Sequence, residues 1–312
     1  MICNLNPDID IPGLHLLRLE IEAVDKHGSD TSMEGLEKTL ARPDINPSRD
    51  YWIMKRDEEA DALIGYGQIL EQSSVRSIIQ VSIHPSWRRQ KLGTRLLNTI
   101  IQVAKERGAT QIVSGAWGNN KTGHPFLVSN GFEQKGHNRF MTAPENSQIE
   151  PPEWPTGYFM RSYAELKDLN YLVEGSNLCY RDMWGHLENT ELVTVGHFQE
   201  LMETLPDYYF PPGIFVLFGP NDRVAGICFN RLEDEHSKRV IDSPGIAPAY
   251  RHLDLHRPLV QASMKWLSTQ ASGPFHLYTW GDFDEAVLVY EDLGFRYTES
   301  DHLIEYLLVN DE

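Results

Sequence analysis

The two halves of this chain repeat each other, and this repeat limits the available folds more than any other feature. Matching residues recur at one constant offset: Pro85 and Pro248, Arg88 and Arg251, Leu92 and Leu255, Leu96 and Leu259, and Gly131-Phe132 and Gly294-Phe295. Between the halves, residues 144–157 contain four prolines and no periodic apolar pattern, which is typical of a linker. The sequence therefore predicts two copies of one domain, at 1–143 and 158–312, joined by a linker at 144–157.

Apolar periodicity predicts the same order of elements in each half. In the first half these are strands at 51–54, 63–69, 77–83 and 111–117, an amphipathic helix beginning near Leu92 and ending by Gly108, a short helix before Gly131, and a closing hairpin made of residues 132–136 and 138–143. Strands on either side of helices predict a mixed α/β fold (an α+β mixed sheet), used twice.

Charge is distributed unevenly along the chain. The formal net charge is −17, yet residues 72–132 hold eight cations and a single acid, Glu106. Within this basic window, a strand ends near Ile83 and the chain turns at Arg88–Thr94 into a helix. Free N–H groups at a helix start, surrounded by Arg and Lys, favour a phosphate group, so this turn is the candidate anion site.

Composition excludes several classes of function. No apolar run reaches the roughly 18 residues that span a bilayer, and the first residues lack the basic segment of a signal peptide. The three cysteines, Cys3, Cys179 and Cys228, lie far apart, which argues against disulfides or a metal site and favours the cytoplasm. An acidic chain disfavours nucleic acid and membrane surfaces as partners. We expect a small-molecule ligand instead.

The motifs around the basic turn resemble those of the GNAT-type N-acetyltransferase superfamily. Val81-Ser82-Ile83-His84-Pro85 is similar to the V-x-P strand of that family, and Arg88–Gly93 is similar to its Q/R-x-x-G-x-G/A turn. A second signature is matched in part by Asn120 and Asn130-Gly131-Phe132, and in the second half by Tyr290–Phe295. The pair of halves resembles the tandem, mycothiol synthase-like two-domain acetyltransferases. A tandem duplicated GNAT fold is the expectation.

The resemblance implies acetyl-coenzyme A as co-substrate and an amine of a small molecule as acceptor. It implies that the turn wraps the pyrophosphate, and that the preceding strand splays from its neighbour so that its backbone can bind the pantetheine arm. The residues implied in cofactor binding are Val81, Ile83, Arg88, Arg89, Gln90, Lys91, Leu92, Gly93, Thr94, Asn120 and Phe126.

The two halves depart from the family pattern in different places. Lys91 replaces the first glycine of the turn, whereas in the second half Asp254 and His256 stand at both glycine positions. Charge therefore favours the first half as the cofactor site. The helical tyrosine that often gives a proton to the departing thiolate is Leu127 in the first half and Tyr290 in the second.

Tyr290 is the candidate catalytic residue, although a core aromatic is the alternative. For a general base, the sequence offers only Glu71, and Asp242 in the second half. Asn120 is either a cofactor contact or a helix cap. Three alternatives to the first-half enzyme stay open: a non-catalytic acyl-coenzyme A sensor, a structural protein, and an enzyme whose chemistry lies in the second half at Tyr290.

Overall fold

The computed structural model describes residues 1–28, 30–42, 44–56, 62–233 and 238–309. Their contacts divide the chain into two compact units. Unit 1 comprises Met1–Lys135 together with the C-terminal segment that starts at Ile304, and unit 2 comprises Gly136–Leu303. The chain therefore folds as two separately packed units.

Unit 1 is a mixed sheet with helices. Its strands are β1 (Ile2–Asn4), β2 (Tyr51–Lys55), β3 (Leu63–Glu71), β4 (Arg76–Ile83) and β5 (Gln111–Trp117), and its helices are α1 (Pro7–Asp25), α2 (Met33–Leu40), α3 (Pro47–Asp50), α4 (Leu92–Glu106) and α5 (Gly123–Ser129). The strand order is β1-β2-β3-β4-β5-β12, the last being part of β12 (His302–Leu308). Only the β4–β5 pair is described as parallel, while β1 to β4 pair antiparallel.

Helix α4 follows its predicted pattern closely. Leu96, Leu97 and Ile100 on one face are buried in the unit 1 core against β3, β4 and β5. The helix ends at Glu106, and Gly108 follows with a φ of 94°, the left-handed conformation that glycine adopts after a helix end. The amphipathic stripe and the stop signal were both readable from the sequence.

Unit 2 repeats this order of elements. Its strands are β6 (Phe132–Ala143), which begins in unit 1, β7 (Phe159–Ser162), β8 (Ile214–Gly219), β9 (Arg223–Glu233), β10 (Lys238–Ile246) and β11 (Phe275–Tyr278), and its helices are α6 (Tyr163–Leu166), α7 (Leu169–Cys179), α8 (Val195–Thr204), α9 (His256–Gln270) and α10 (Asp284–Asp292). The strand order is β6-β11-β10-β9-β8-β7. The predicted mixed α/β class is confirmed for each unit.

The predicted closing hairpin at 132–143 is wrong, because these residues form one continuous strand, β6. Its second part pairs antiparallel with β11, from Phe140 opposite Tyr278 to Ala143 opposite Phe275. Gly136, which suggested a turn, has no positive φ. A Cβ added there would lie 2.1 Å from the Trp184 ring, so this glycine serves close packing.

The division between the units differs from the predicted boundary at 143. Because β6 pairs with β11, unit 2 begins at Gly136. The proline-rich segment 144–157 has no helix or strand, as a linker would, but it belongs to unit 2. Its Ile149 and Trp154 pack against the unit 2 core.

Candidate functional site

Strands β4 and β5 of unit 1 separate part-way along their length. They pair in parallel only at Arg76 with Gln111, Ser77 with Ile112 and Ile78 with Val113. Beyond that point β4 continues to Ile83, still paired with β3 on its other side. The sheet therefore has an open gap along the last residues of β4, as the family resemblance implied.

The backbone of β4 offers free hydrogen-bonding groups to this gap. His84 donates its N–H to the carbonyl of Ile64 on β3 at 2.9 Å, in continuation of an unbroken register. In an antiparallel pair, alternate residues direct both backbone groups to opposite edges. The N–H and C=O groups of Val81 and Ile83 therefore point away from β3, toward the gap, and of these four groups the Ile83 carbonyl is already bonded by Arg88.

Arg88, predicted to bind the cofactor, has its side chain engaged within unit 1. Its Nε donates to the Ile83 carbonyl at 3.0 Å, and its two terminal nitrogens donate to the two carboxylate oxygens of Asp25 at 2.7 Å each. The two side chains are 25% and 18% exposed. Arg88 thus fixes the turn to the end of α1, and only its backbone is available to an anion.

The same Arg–Asp clasp is built in unit 2. Arg251 donates from Nε to the Ile246 carbonyl at 3.0 Å and from its terminal nitrogens to Asp182 at 2.7 and 2.8 Å. Arg88 and Arg251 match at the constant offset, but Asp25 and Asp182 do not. Comparing the two halves of the sequence therefore reveals the two arginines, but it does not reveal the aspartates that bind them.

The turn before α4 adopts left-handed backbone conformations. Arg89 has a φ of 63° and Lys91 a φ of 61°. The left-handed conformation is unfavourable by about 1–2 kcal/mol for residues with a Cβ, which explains why the family signature has glycine at the position of Lys91. Asp254, the matching residue of unit 2, is also left-handed, with a φ of 50°. The left-handed conformation at this one position is thus kept in both units despite the substitutions.

Unpaired positive charge surrounds the start of α4. Arg89, Lys91 and Arg95 are exposed, and none of them forms an ion pair with any residue that the structure describes. No side chain caps the helix, so the first-turn N–H groups, which include those of Gly93 and Thr94, are available. This combination favours an anionic group at the helix start. Gln90, also predicted to bind the cofactor, is exposed in the same turn.

Gly93 allows α5 to approach the start of α4. A Cβ added at Gly93 would lie 3.3 Å from the Phe126 ring and 3.6 Å from Ile83. Phe126 therefore lies beside both the turn and the gap. Asn120 accepts hydrogen bonds from the Gly123 N–H at 2.8 Å and the Thr122 N–H at 3.3 Å, so its carbonyl is used to cap α5.

The corresponding gap in unit 2 is filled by side chains. Strands β10 and β11 pair in parallel only up to Asp242 and Tyr278, although β10 continues to Ile246. Tyr290 is 0% exposed, and its hydroxyl donates to the carbonyl of Pro244, in the unpaired part of β10, at 3.4 Å.

His256, at the position of Gly93, lies half-buried beside this tyrosine. The ring centroids of His256 and Tyr290 are 6.2 Å apart. Burial lowers the pKa of His256 to about 4 and raises the pKa of Tyr290 well above its ordinary value. Tyr290 is thus a core residue of unit 2 and does not belong to the unit that holds the other predicted site residues.

The cations at the start of α9 are paired, in contrast to those of unit 1. Arg251 is held by Asp182, and Arg257 contacts Asp254 at 3.3 Å and Asp292 at 2.8 Å. Acid at the helix start and paired arginines leave unit 2 poorly suited to a phosphate group.

Neither predicted base candidate is free to accept a proton at the unit 1 gap. Glu71 pairs in register with Ser77, about 20 Å along β4 from Ile83, and contacts Arg107 at 3.2 Å. Asp242 of unit 2 accepts hydrogen bonds from the Tyr208 hydroxyl at 2.6 Å, from Arg231 at 2.6 Å and from the Ser243 hydroxyl at 2.8 Å.

A histidine–tyrosine pair that the sequence did not reveal supports α5. Nε2 of His124 lies 2.9 Å from the Trp117 carbonyl, and Nδ1 lies 2.8 Å from the Tyr306 hydroxyl. A carbonyl can only accept, so Nε2 donates and Nδ1 of the neutral ring accepts from the tyrosine. Tyr306 comes from β12 at the far end of the chain, and no local pattern could have predicted this contact.

Comparison with known proteins identifies the first unit. Residues 18–132 match the Acetyltransferase (GNAT) family. This stretch is a GNAT acetyltransferase domain. A mycothiol acetyltransferase from Pseudarthrobacter chlorophenolicus is 22% identical over 284 residues, which cover 85% of this chain and 84% of that protein. The predicted family resemblance is confirmed.

Solved structures show the same fold over the whole chain. A GCN5-related N-acetyltransferase from Sphaerobacter thermophilus aligns with a TM-score of 0.74 at 15% identity and covers 98% of this chain and 94% of that one. A tandem GNAT protein from the clavulanic acid biosynthesis pathway aligns with a TM-score of 0.58 at 13% identity and covers 100% and 99%. The tandem GNAT fold is confirmed.

The chain therefore contains an acetyltransferase domain of the GNAT family, at residues 18–132. No helix among the described residues is long and apolar enough to cross a membrane. In the same part of the chain, no group of His, Cys, Asp and Glu is arranged to hold a metal ion.

Proposed function

We propose that unit 1 binds the acetyl-coenzyme A and carries the acetyl transfer, and that unit 2 has lost cofactor binding. The observation that supports this assignment is the contrast at one matching position. Gly93 leaves the unit 1 gap bordered by free backbone groups, whereas His256 and Tyr290 occupy the gap of unit 2.

In this proposal the cofactor lies along β4 with its pyrophosphate at the start of α4. The first-turn N–H groups and the unpaired Arg89 and Lys91 receive the phosphates. The N–H and C=O of Val81 and the N–H of Ile83 bond the amide groups of the pantetheine arm, as an added strand would. Phe126 packs against the arm from α5.

The chemistry is direct attack of a neutral amine on the thioester. The nitrogen–carbon bond forms and the carbon–sulfur bond breaks, while the amine loses one proton and the thiolate gains one. Backbone N–H groups of β4 in the gap stabilise the developing negative charge on the carbonyl oxygen. With Leu127 at the position of the helical tyrosine, the departing thiolate receives its proton from water. The enzyme therefore acts mainly by positioning the reactants.

The acceptor is assigned by chemical class as a small-molecule amine. Relatives between 20% and 25% identical bear the name mycothiol acetyltransferase, which suggests testing acceptors of that kind first. Cys179 and Cys228 are buried free thiols, and a reducing compartment, the cytoplasm, suits them.

Charge reversal at Lys91, directly before α4, tests the cofactor site. We expect Lys91→Glu to weaken coenzyme A binding about tenfold or more, because it replaces an unpaired cation at the phosphate site with an anion. Lys105→Glu, at the exposed far end of the same helix, makes the same change in net charge and serves as the control. Equal affinities of the two variants in calorimetry would refute the assignment to unit 1.

Tyr290→Phe tests which unit carries the chemistry. Because the Tyr290 hydroxyl is buried, we expect kcat/KM for acetyl transfer to stay within about twofold of the parent value. A fall of about a hundredfold at unchanged coenzyme A affinity would instead assign the proton transfer to unit 2. Coenzyme A binding without turnover on any amine would favour the sensor, which the missing tyrosine of unit 1 keeps as the second candidate.

A further inference from the structure

Unit 2 contains a cavity that the proposed acetyl transfer does not use. It has a volume of about 160 Å³ and lies between α7, α8, the segment around Glu188, and strands β9 and β10. Its wall combines carboxylates with aromatic rings, among them Glu188, Asp242, Phe198, Tyr209 and Phe229.

Glu188 is a buried carboxylate in this wall that lacks a cationic partner. The residue is 9% exposed, and it forms no ion pair with any residue of the described chain. The Ser176 hydroxyl is its side-chain hydrogen-bond donor, and burial raises the pKa of the Glu188 carboxyl. A buried carboxylate without a counter-ion is unfavourable, so such a group indicates a missing positive charge.

Asp242, the second carboxylate of the wall, differs in this respect. Arg231 contacts it at 2.6 Å, and the same guanidinium lies 3.9 Å above the Tyr208 ring. The charge of Asp242 is therefore compensated within the protein. The cavity is left with one carboxylate, that of Glu188, which no arginine or lysine of the described residues pairs.

Three aromatic rings of the wall are in mutual contact. The Phe198 and Phe229 rings are stacked with centroids 6.5 Å apart, and the Tyr209 ring meets them edge-on at 6.2 and 5.7 Å. Aromatic faces attract organic cations, and clusters of such rings bind ammonium groups in proteins. Charge and ring arrangement thus favour the same kind of ligand.

We propose that this cavity binds a small organic cation with one ammonium group, with the Glu188 carboxylate as its counter-ion and Phe198, Tyr209 and Phe229 around its carbon atoms. An apolar cavity of about 150 Å³ accepts benzene, so the ligand has about six non-hydrogen atoms. The site lies wholly within unit 2 and needs no cofactor, so it is independent of the proposed acetyl-transfer site.

Calorimetry with choline and propylamine tests the site on the full-length protein. We expect both probes to bind. Each has an uncharged counterpart, which is the carbon isostere for choline and propanol for propylamine. These counterparts should bind at least about tenfold more weakly, because they cannot satisfy the buried charge. Equal binding of a cation and its isostere would overturn the proposal, as would no binding of either cation at millimolar concentration.

Two variants with the same change in charge locate the cation. Glu188→Gln keeps the side-chain shape, and we expect it to weaken choline binding about tenfold or more. Glu191→Gln, three residues further along and exposed, should leave choline binding unchanged. Unchanged binding in Glu188→Gln would place the cation elsewhere and overturn the proposal.

The thermal stability of the unliganded variant separates a binding role from a structural one. Removing an uncompensated buried charge should leave the melting temperature of Glu188→Gln equal to or above that of the parent protein. Coenzyme A binding by the same sample verifies that the variant is folded. A lower melting temperature together with unchanged choline affinity would show that Glu188 only supports the fold.

Discussion

At the scale of single residues, the most informative side chain is Arg88, which belongs to the signature but acts through its neighbours. It ties the Ile83 carbonyl and the turn to Asp25. A charged hydrogen bond of this kind contributes about 1.5–3 kcal/mol. One guanidinium thus holds both the turn that receives the phosphates and the strand that borders the gap. Arg88 therefore fixes the position of the turn relative to the strand.

The clasp can be tested with a substitution that keeps the charge. Arg88→Lys retains the cation but loses the paired bonds to Asp25, so we expect KM for acetyl-coenzyme A to rise about tenfold with a smaller change in kcat. Arg251→Lys breaks the equivalent clasp in unit 2 and should lower the melting temperature without changing KM. Steady-state kinetics on both variants measure these KM values. Equal KM values for Arg88→Lys and Arg251→Lys would contradict a positioning role of Arg88.

At the scale of elements, the turn before α4 shows how a substitution can keep a backbone shape and change its chemistry. Lys91 holds the left-handed conformation that the family signature assigns to glycine. We therefore expect Lys91→Gly to raise the free energy of unfolding by about 1 kcal/mol, because the strain at a Cβ-bearing residue is relieved. The same change removes an unpaired cation and should weaken coenzyme A binding.

If Lys91→Gly raises the free energy of unfolding and weakens coenzyme A binding, Lys91 serves the function of the protein and not its stability. Asp254→Gly is the matched control, since Asp254 is left-handed at the same position of unit 2. It should stabilise the protein and leave coenzyme A affinity unchanged. Denaturant unfolding and calorimetry measure the two quantities, and a Lys91→Gly variant with unchanged affinity would remove this lysine from the proposed site.

The elements that the sequence predicted are those whose signals are local. The apolar stripe of α4, its stop at Gly108 and the separation of β4 from β5 could all be expected from neighbouring residues and the family pattern. The continuity of β6 could not be expected in this way, because Gly136 looks like a turn residue and packs on Trp184, which lies in a distant segment. The partner of Arg88 was missed for the same reason.

At the scale of the whole molecule, the division of the chain follows strand pairing and not sequence order. Most of β6, which the sequence placed in the first half, belongs to unit 2. The segment that starts at Ile304 belongs to unit 1, where the Tyr306 hydroxyl bonds His124. Pairings between segments so far apart leave no periodic trace in the sequence. The duplication was visible at a constant offset, but the exact limits of the two units were not.

Unit 2 has the same fold as unit 1, but side chains fill its gap. The titratable groups beside this gap should control how the stability of the protein depends on pH. Burial raises the pKa of Asp282 from 3.8 to about 7, although the Tyr290 hydroxyl and the charge of Arg139 act to lower this pKa. The contribution of Asp282 to stability is present below pH 4 and is lost as the pH rises through 7.

His256 acts in the opposite direction over nearly the same range. Its pKa falls from 6.5 to about 4, so its contribution is present above pH 6.5 and is lost as the pH falls through 4. The positive charge of Arg251 lowers the pKa values of both groups. In the parent protein the two effects should largely cancel between pH 4 and 6.5.

Single variants should reveal each effect separately. Relative to the parent protein, the free energy of unfolding of Asp282→Asn should increase with pH between 4 and 7, and that of His256→Gln should decrease with pH between 4 and 6.5. The slope for one proton is at most about 1.4 kcal/mol per pH unit. Asp207→Asn, at an exposed position, is the control and should follow the parent curve. Parallel curves for all four proteins would mean that neither buried group titrates differently in the folded state, and the collapsed gap of unit 2 would then be accessible to water.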